Sequence, residues 1–205
     1  MIQPQIKIPL TARNQGNRGS CVAFSIAGIK GSFTSYELSP EYAYLATVHQ
    51  SPNWQPNQGL DVRVAMSATA AGLPEERLYP YQQAEPGHPL PALPTGLPLY
   101  GPHLALLQPD LSVIKSRLLA GEPVGTIIAL TQSFMSPVDG LVPFEAGAFQ
   151  GFHAVVIVGF GLDSAGEEHY LICNSWGQSW GNEGHAWLPG TYLVHHATCI
   201  YGATP

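Results

Sequence analysis

An unbroken apolar run, Ala154-Val155-Val156-Ile157-Val158, lies inside Phe152–Gly161 and constrains this chain more than any other stretch. β-Branched residues without polar alternation form a strand buried in a core, because a half-exposed strand would alternate. His153 stands almost at its start. A titratable side chain carried into a core must have a partner or a role. The next expected strand, Glu168–Asn174, follows a turn at Asp163-Ser164-Ala165-Gly166 and ends on an asparagine. If the two strands are antiparallel neighbours, His153 and Asn174 lie near the same end of the pair. Trp176 and Trp180, in a segment with Gly177, Gly181 and Gly184, would shield a hydrogen bond between them from water.

The front of the chain has a different character. Residues 1–13 read as an extended arm that leads into a Gly-rich loop, Asn14-Gln15-Gly16-Asn17-Arg18-Gly19-Ser20. From Cys21 to about Lys30 the residues are apolar all round, which predicts a buried helix ended by Gly31 and Ser32. Ser39-Pro40-Glu41 announces a second helix to about His49, with Ser39 as cap, Pro40 in the first turn and Glu41 favouring the dipole. A third is expected from about Leu60 to Ala71. Pro80–Pro109, with eight prolines, reads as loop packed over a surface, with a free linker as the alternative. Asp110 caps a helix over Leu111–Ala120, and Pro123–Leu130 reads as a strand. Thr131–Gly151 reads as loop; Gly184–Leu188, Thr191–Val194 and Thr198–Tyr201 read as strands. A helical front half thus meets a β-rich back half, with chemistry expected in the cleft between them.

Cys21 falls at the first turn of its helix, where unpaired N–H groups and the dipole favour thiolate, the nucleophilic form. Cysteine, histidine and two amides in the order Gln15, Cys21, His153, Asn174 meet the separate needs of acyl transfer. The thiolate attacks a carbonyl and the imidazole carries the proton. One amide orients the imidazole, and the other joins the Cys21 N–H in donating to the oxyanion. Of the remaining histidines, His49, His88, His103, His169, His195 and His196 read as structural, and no Cys/His spacing resembles a zinc site. Cys173 and Cys199 either pair or stay buried and reduced.

A net charge of −6, with no basic cluster, argues against nucleic acid and anionic membranes as partners. No apolar run is long enough to span a bilayer. The first residues, with prolines at 4 and 9, do not read as a signal peptide. The compartment stays open, a secreted or delivered effector among the readings.

Four segments together resemble the papain family of cysteine peptidases. They are Gln15-Gly16…Gly19-Ser20-Cys21-Val22-Ala23-Phe24-Ser25, Leu38-Ser39-Pro40-Glu41, His153-Ala154-Val155 with Val158-Gly159-Phe160-Gly161, and Asn174-Ser175-Trp176-Gly177-Gln178-Ser179-Trp180-Gly181-Asn182-Glu183-Gly184. The resemblance implies an α+β, papain-like two-lobed fold: a helical lobe carrying the nucleophile helix and an antiparallel, barrel-like β lobe. As a single peptidase domain over 1–205, its lobes would fall at approximately 12–110 and 111–194, with the N-terminal arm and C-terminal segment crossing between them. It implies Cys21 as nucleophile, His153 as general acid/base, Asn174 as orienter, Gln15 in the oxyanion hole and Trp176 as shield of the triad. Gly59, in Asn57-Gln58-Gly59, is the best match to the glycine strip that pairs with substrate backbone. The expected activity is endopeptidase hydrolysis through a thioester acyl-enzyme, by a monomer acting on a peptide or protein, with no cofactor or metal. The same triad serves deamidation, transamidation or isopeptide cleavage, and a non-catalytic module with this fold is the remaining alternative. An inhibitory pro-segment is also implied, outside these residues.

Two departures from the family pattern stand out. Arg18 occupies a position where the family carries a cysteine, and Val22 one where it carries an aromatic residue. Without that disulfide the nucleophile loop must be held by packing or hydrogen bonds, with Arg18 reaching a carboxylate as one way to do so. The missing disulfides fit a bacterial-type member.

Overall fold

The computed structural model describes residues 2–147 and 149–204. In chain order the elements are β1 (Gln3–Lys7), α1 (Cys21–Gly31), α2 (Pro40–His49), α3 (Val62–Ala68), β2 (Leu104–Leu107), α4 (Leu111–Leu119) and β3 (Val124–Ala129). There follow α5 (Gln132–Met135), β4 (Phe152–Leu162), β5 (Glu168–Cys173), β6 (His185–Pro189), α6 (Gly190–His196) and β7 (Ala197–Ala203). The fold is α+β with a mostly antiparallel sheet. The chain divides into two compact units. One is Gln15–Ala105 with the residues from Ala203 onward; the other is the N-terminal residues through Asn14 with Leu106–Gly202.

In the first unit α1, α2 and α3 pack on one another. Val22, Ala23, Phe24, Ile26, Ala27 and Ile29 are all buried, so α1 shows no exposed stripe. Each large aliphatic among them stabilises by roughly 1.5–3 kcal/mol on leaving water. Helix α2 starts where its cap dictates: Ser39 Oγ accepts the Tyr42 N–H at 3.0 Å. Helix α3 is shorter than expected. Asp61 accepts from the N–H groups of Arg63 and Val64, which sets its start, and the Thr69 hydroxyl turns back to the Ala65 carbonyl at its end.

The sheet runs β2-β7-β3-β4-β5-β6, and β3 to β6 lie wholly in the second unit. Strand β4 is its axis: β3 pairs with Phe152–Ile157, and β5 with Val156–Leu162. Strand β1 pairs with Gly159–Leu162, where the β3 pairing has ended. The Ile6 carbonyl comes so close that a Cβ on Gly159 would meet it at 2.7 Å, so only glycine fits there. Ile114, Leu118, Ile128, Val155, Ile157, Ile172 and Leu188 form the core.

Three expectations need correcting. Thr191–Val194 is not a strand but lies within α6, where Tyr192, Leu193 and His196 are buried together. The Tyr192 hydroxyl donates to the Ala129 carbonyl at 3.0 Å, an anchor that overrides β propensity. The stretch after Thr131 contains the short helix α5. The proline-rich stretch yields β2 at its end.

Candidate active site

Cys21 opens α1 and is partly exposed. Ser20, at the cap position, makes no capping bond; its hydroxyl meets the Tyr81 hydroxyl at 2.7 Å. Gln15 is buried, and its Nε2–H donates to the Arg18 carbonyl at 2.8 Å. Gly59 lies beside this loop: a Cβ on Gly19 would meet the Gln58 carbonyl and the Gly59 nitrogen at 3.2 Å. Over Gly59 itself there is open space.

In the other unit the antiparallel register pairs Val156 with Cys173, which brings His153 and Asn174 to one end of β4 and β5. His153 Nε2 lies 2.7 Å from Asn174 Oδ1, with both side chains buried. The Ser175 N–H also donates to that Asn174 atom, at 2.8 Å, which identifies it as the oxygen. Nε2 is therefore the protonated nitrogen of the neutral ring, and Nδ1 keeps the lone pair. Burial holds the imidazole down at about 4 despite the opposing hydrogen bond that it donates to Asn174. Among the described residues Asn174 Nδ2 has no hydrogen-bond partner.

Aromatic rings enclose this pair. Trp176 lies 4.6 Å from the His153 ring centroid, and Phe134 lies 6.2 Å away. Phe134 is itself in edge contact with Trp176 and beside Trp180, whose indole N–H donates to the Phe134 carbonyl at 3.1 Å. Sequence reasoning placed Trp176 and missed Phe134, which comes from α5 and carries no motif. The N-terminal arm holds the tryptophan loop: Asn14 pairs with Trp176, and the Gly177 N–H donates to the Arg13 carbonyl at 3.0 Å.

The three cysteines are free thiols, so the pairing of Cys173 with Cys199 is not formed. Burial pushes the Cys173 thiol up to about 12, which makes it inert. His185, which sequence reasoning left unassigned, braces the arm through Nε2 to the Leu10 carbonyl at 3.0 Å. Among the described residues no group of three His, Cys, Asp or Glu could hold a metal ion.

Cathepsin B-like CP3 of Giardia intestinalis is 29% identical over 195 residues, covering 84% of this chain and 62% of that protein. Fruit bromelain of Ananas comosus is 25% identical over 180 residues, covering 84% of this chain and 49% of that protein. The chain thus spans less than two thirds of the length of either relative. Among solved structures, xylellain, a cysteine protease from Xylella fastidiosa, superposes with a TM-score of 0.77 at 20% identity over 100% of this chain and 87% of its own. Bromelain from Ananas comosus in complex with the E64 inhibitor gives 0.78 at 20% identity, over 97% and 95%. These two likenesses are of fold. The family description "papain family cysteine protease" matches residues 5–190, a span that holds the cysteine loop, the histidine strand and the asparagine turn, and the chain belongs to that family.

Proposed function

We propose that this chain is a cysteine peptidase that cleaves peptide bonds with Cys21, His153 and Asn174. Nδ1 of His153 takes the Cys21 proton, the thiolate attacks the scissile carbonyl, and the resulting imidazolium protonates the leaving amine. Water then hydrolyses the thioester, returning the proton to sulfur. Gln15 and the Cys21 N–H stabilise the oxyanion, Trp176 keeps water from the histidine–asparagine bond, and Gly59 lets the substrate backbone approach.

The observation that carries this reading is the single tautomer that Asn174 imposes on a buried His153, which points the basic nitrogen away from Asn174. The test is turnover of a peptide mixture by the chain and by Cys21→Ala. We expect severed backbones with the former, none above background with the latter, and unchanged melting. Full activity in Cys21→Ala would sink the assignment. Products altered only at side-chain amides would redirect it to deamidation.

A further inference from the structure

Arg18 is 2% exposed. A guanidinium stays charged under all ordinary conditions, so its burial demands fixed partners. Nη1 donates to Glu41 Oε2 at 2.6 Å and to the Gln82 carbonyl, while Nη2 lies 3.5 Å from Glu41 Oε1. Nε faces Glu85 Oε2 at 3.6 Å. Glu85 is in turn held by the Tyr44 hydroxyl at 2.8 Å and the Asn57 N–H at 3.1 Å. The guanidinium lies 4.2 Å from the Tyr44 ring centroid and 5.0 Å from that of Tyr81. Burial pulls its proton affinity down, but the hydrogen bond and charge of Glu41 outweigh this and leave it raised. Four side chains thus leave this guanidinium one place to be.

The main chain of the same residue reaches the proposed chemistry. The Arg18 carbonyl accepts the Gln15 Nε2–H at 2.8 Å and the Ser20 N–H at 2.8 Å. Tyr81, whose ring faces the guanidinium, donates its hydroxyl to the Gln15 carbonyl at 2.8 Å, so the Ser20 hydroxyl donates to Tyr81. Fixing the Arg18 side chain therefore fixes the oxygen that aims the Gln15 amide.

We propose that Arg18 is a positioning residue for Gln15: its buried cluster with Glu41, Glu85, Tyr44 and Tyr81 sets the aim of the oxyanion-hole amide. This inference rests on the reading of Gln15 as oxyanion donor. An amide aimed at the oxyanion acts in the transition state, so loss of aim falls on kcat and not on KM.

The experiment is a double-mutant cycle on the full chain with a peptide substrate. Gln15→Ala should lower kcat ~100-fold. Arg18→Lys keeps the charge but loses the planar fork and the stacking. It should lower kcat ~10-fold with KM within about twofold, and should cost nothing further in the Gln15→Ala background. Glu85→Gln, milder because it keeps a polar partner for Tyr44, should show a smaller loss that likewise vanishes in that background. An equal loss in both backgrounds, or full activity in Arg18→Lys, overturns the positioning role while leaving Gln15 in the oxyanion hole. An unchanged kcat in Gln15→Ala overturns the oxyanion reading instead. Loss of cooperative melting in both cluster variants reduces the cluster to a support of the fold and overturns the proposal.

Discussion

His153 couples the proposed chemistry to stability. Its imidazole titrates near 6.5 when unfolded and about 4 when folded, because burial disfavours the cation. Between those values the unfolded chain binds a proton that the native chain refuses. Stability therefore rises with pH through this window and is fully present above 6.5. The separation corresponds to roughly 3 kcal/mol. In the proposed mechanism a Cys21 thiolate would raise the imidazole again, so the measurement belongs in Cys21→Ala. Melting of that variant should fall steeply between pH 6.5 and 4, and His153→Gln should flatten the fall; an equal slope would acquit His153. That a histidine entering an apolar strand needs a partner was legible in the sequence, and so was the partner. The enclosing Phe134 was not, because its burial at 0% exposure depends on contacts with Trp176 and Trp180 far along the chain. Glu41 was legible only by half. Its place in the first turn of α2 suits the helix dipole, but nothing local announces that it neutralises Arg18.

Helices α2 and α4, whose starts carry a chemical signal, begin where the sequence predicts. Ser39-Pro40 starts α2 and Asp110 caps α4, each through a side-chain oxygen that satisfies an open N–H. Ser39→Ala should cost about 1 kcal/mol in urea unfolding, by the ordinary worth of such a cap. Helix α6 went the other way. Thr191-Tyr192-Leu193-Val194 favours a strand, yet tertiary contacts choose a helix that buries Tyr192 and His196. Tyr192→Phe removes the hydroxyl bonded to Ala129 and Thr131, and should lower stability by about 1 kcal/mol, more if the Ala129 carbonyl is left unpaired. The tryptophan loop depends on Gly184. It sits at a φ of 80°, and a Cβ there would meet that of Ala12 at 2.1 Å. Gly184→Ala should therefore shift the arm from the loop and weaken the protein by about 2 kcal/mol or more, a loss visible as faster exchange of the Gly177 amide.

Across the molecule, no described cysteine is tied to another. The midpoint of unfolding should accordingly be the same with and without a reductant, whereas a disulfide-bearing chain would lose stability. Under native conditions an alkylating agent should label Cys21 first and leave Cys173 untouched until the chain unfolds, as peptide mapping would show. Early labelling at Cys173 would contradict its burial.

Strand β1 pairs with the far end of β4, Gln3 opposite Leu162, across most of the sequence. During synthesis the arm is made long before β4, and until β4 emerges it lacks this partner. Gln15–Ala105, by contrast, makes its contacts from residues that emerge together, with only the last residues joining later. The unit bearing the thiol can close early, while the one bearing His153 and Asn174 waits for β4, β5 and β7. While it emerges, the chain thus carries a nucleophile loop without its proposed base, and the proposed peptidase stays silent until β4 and β5 have been made.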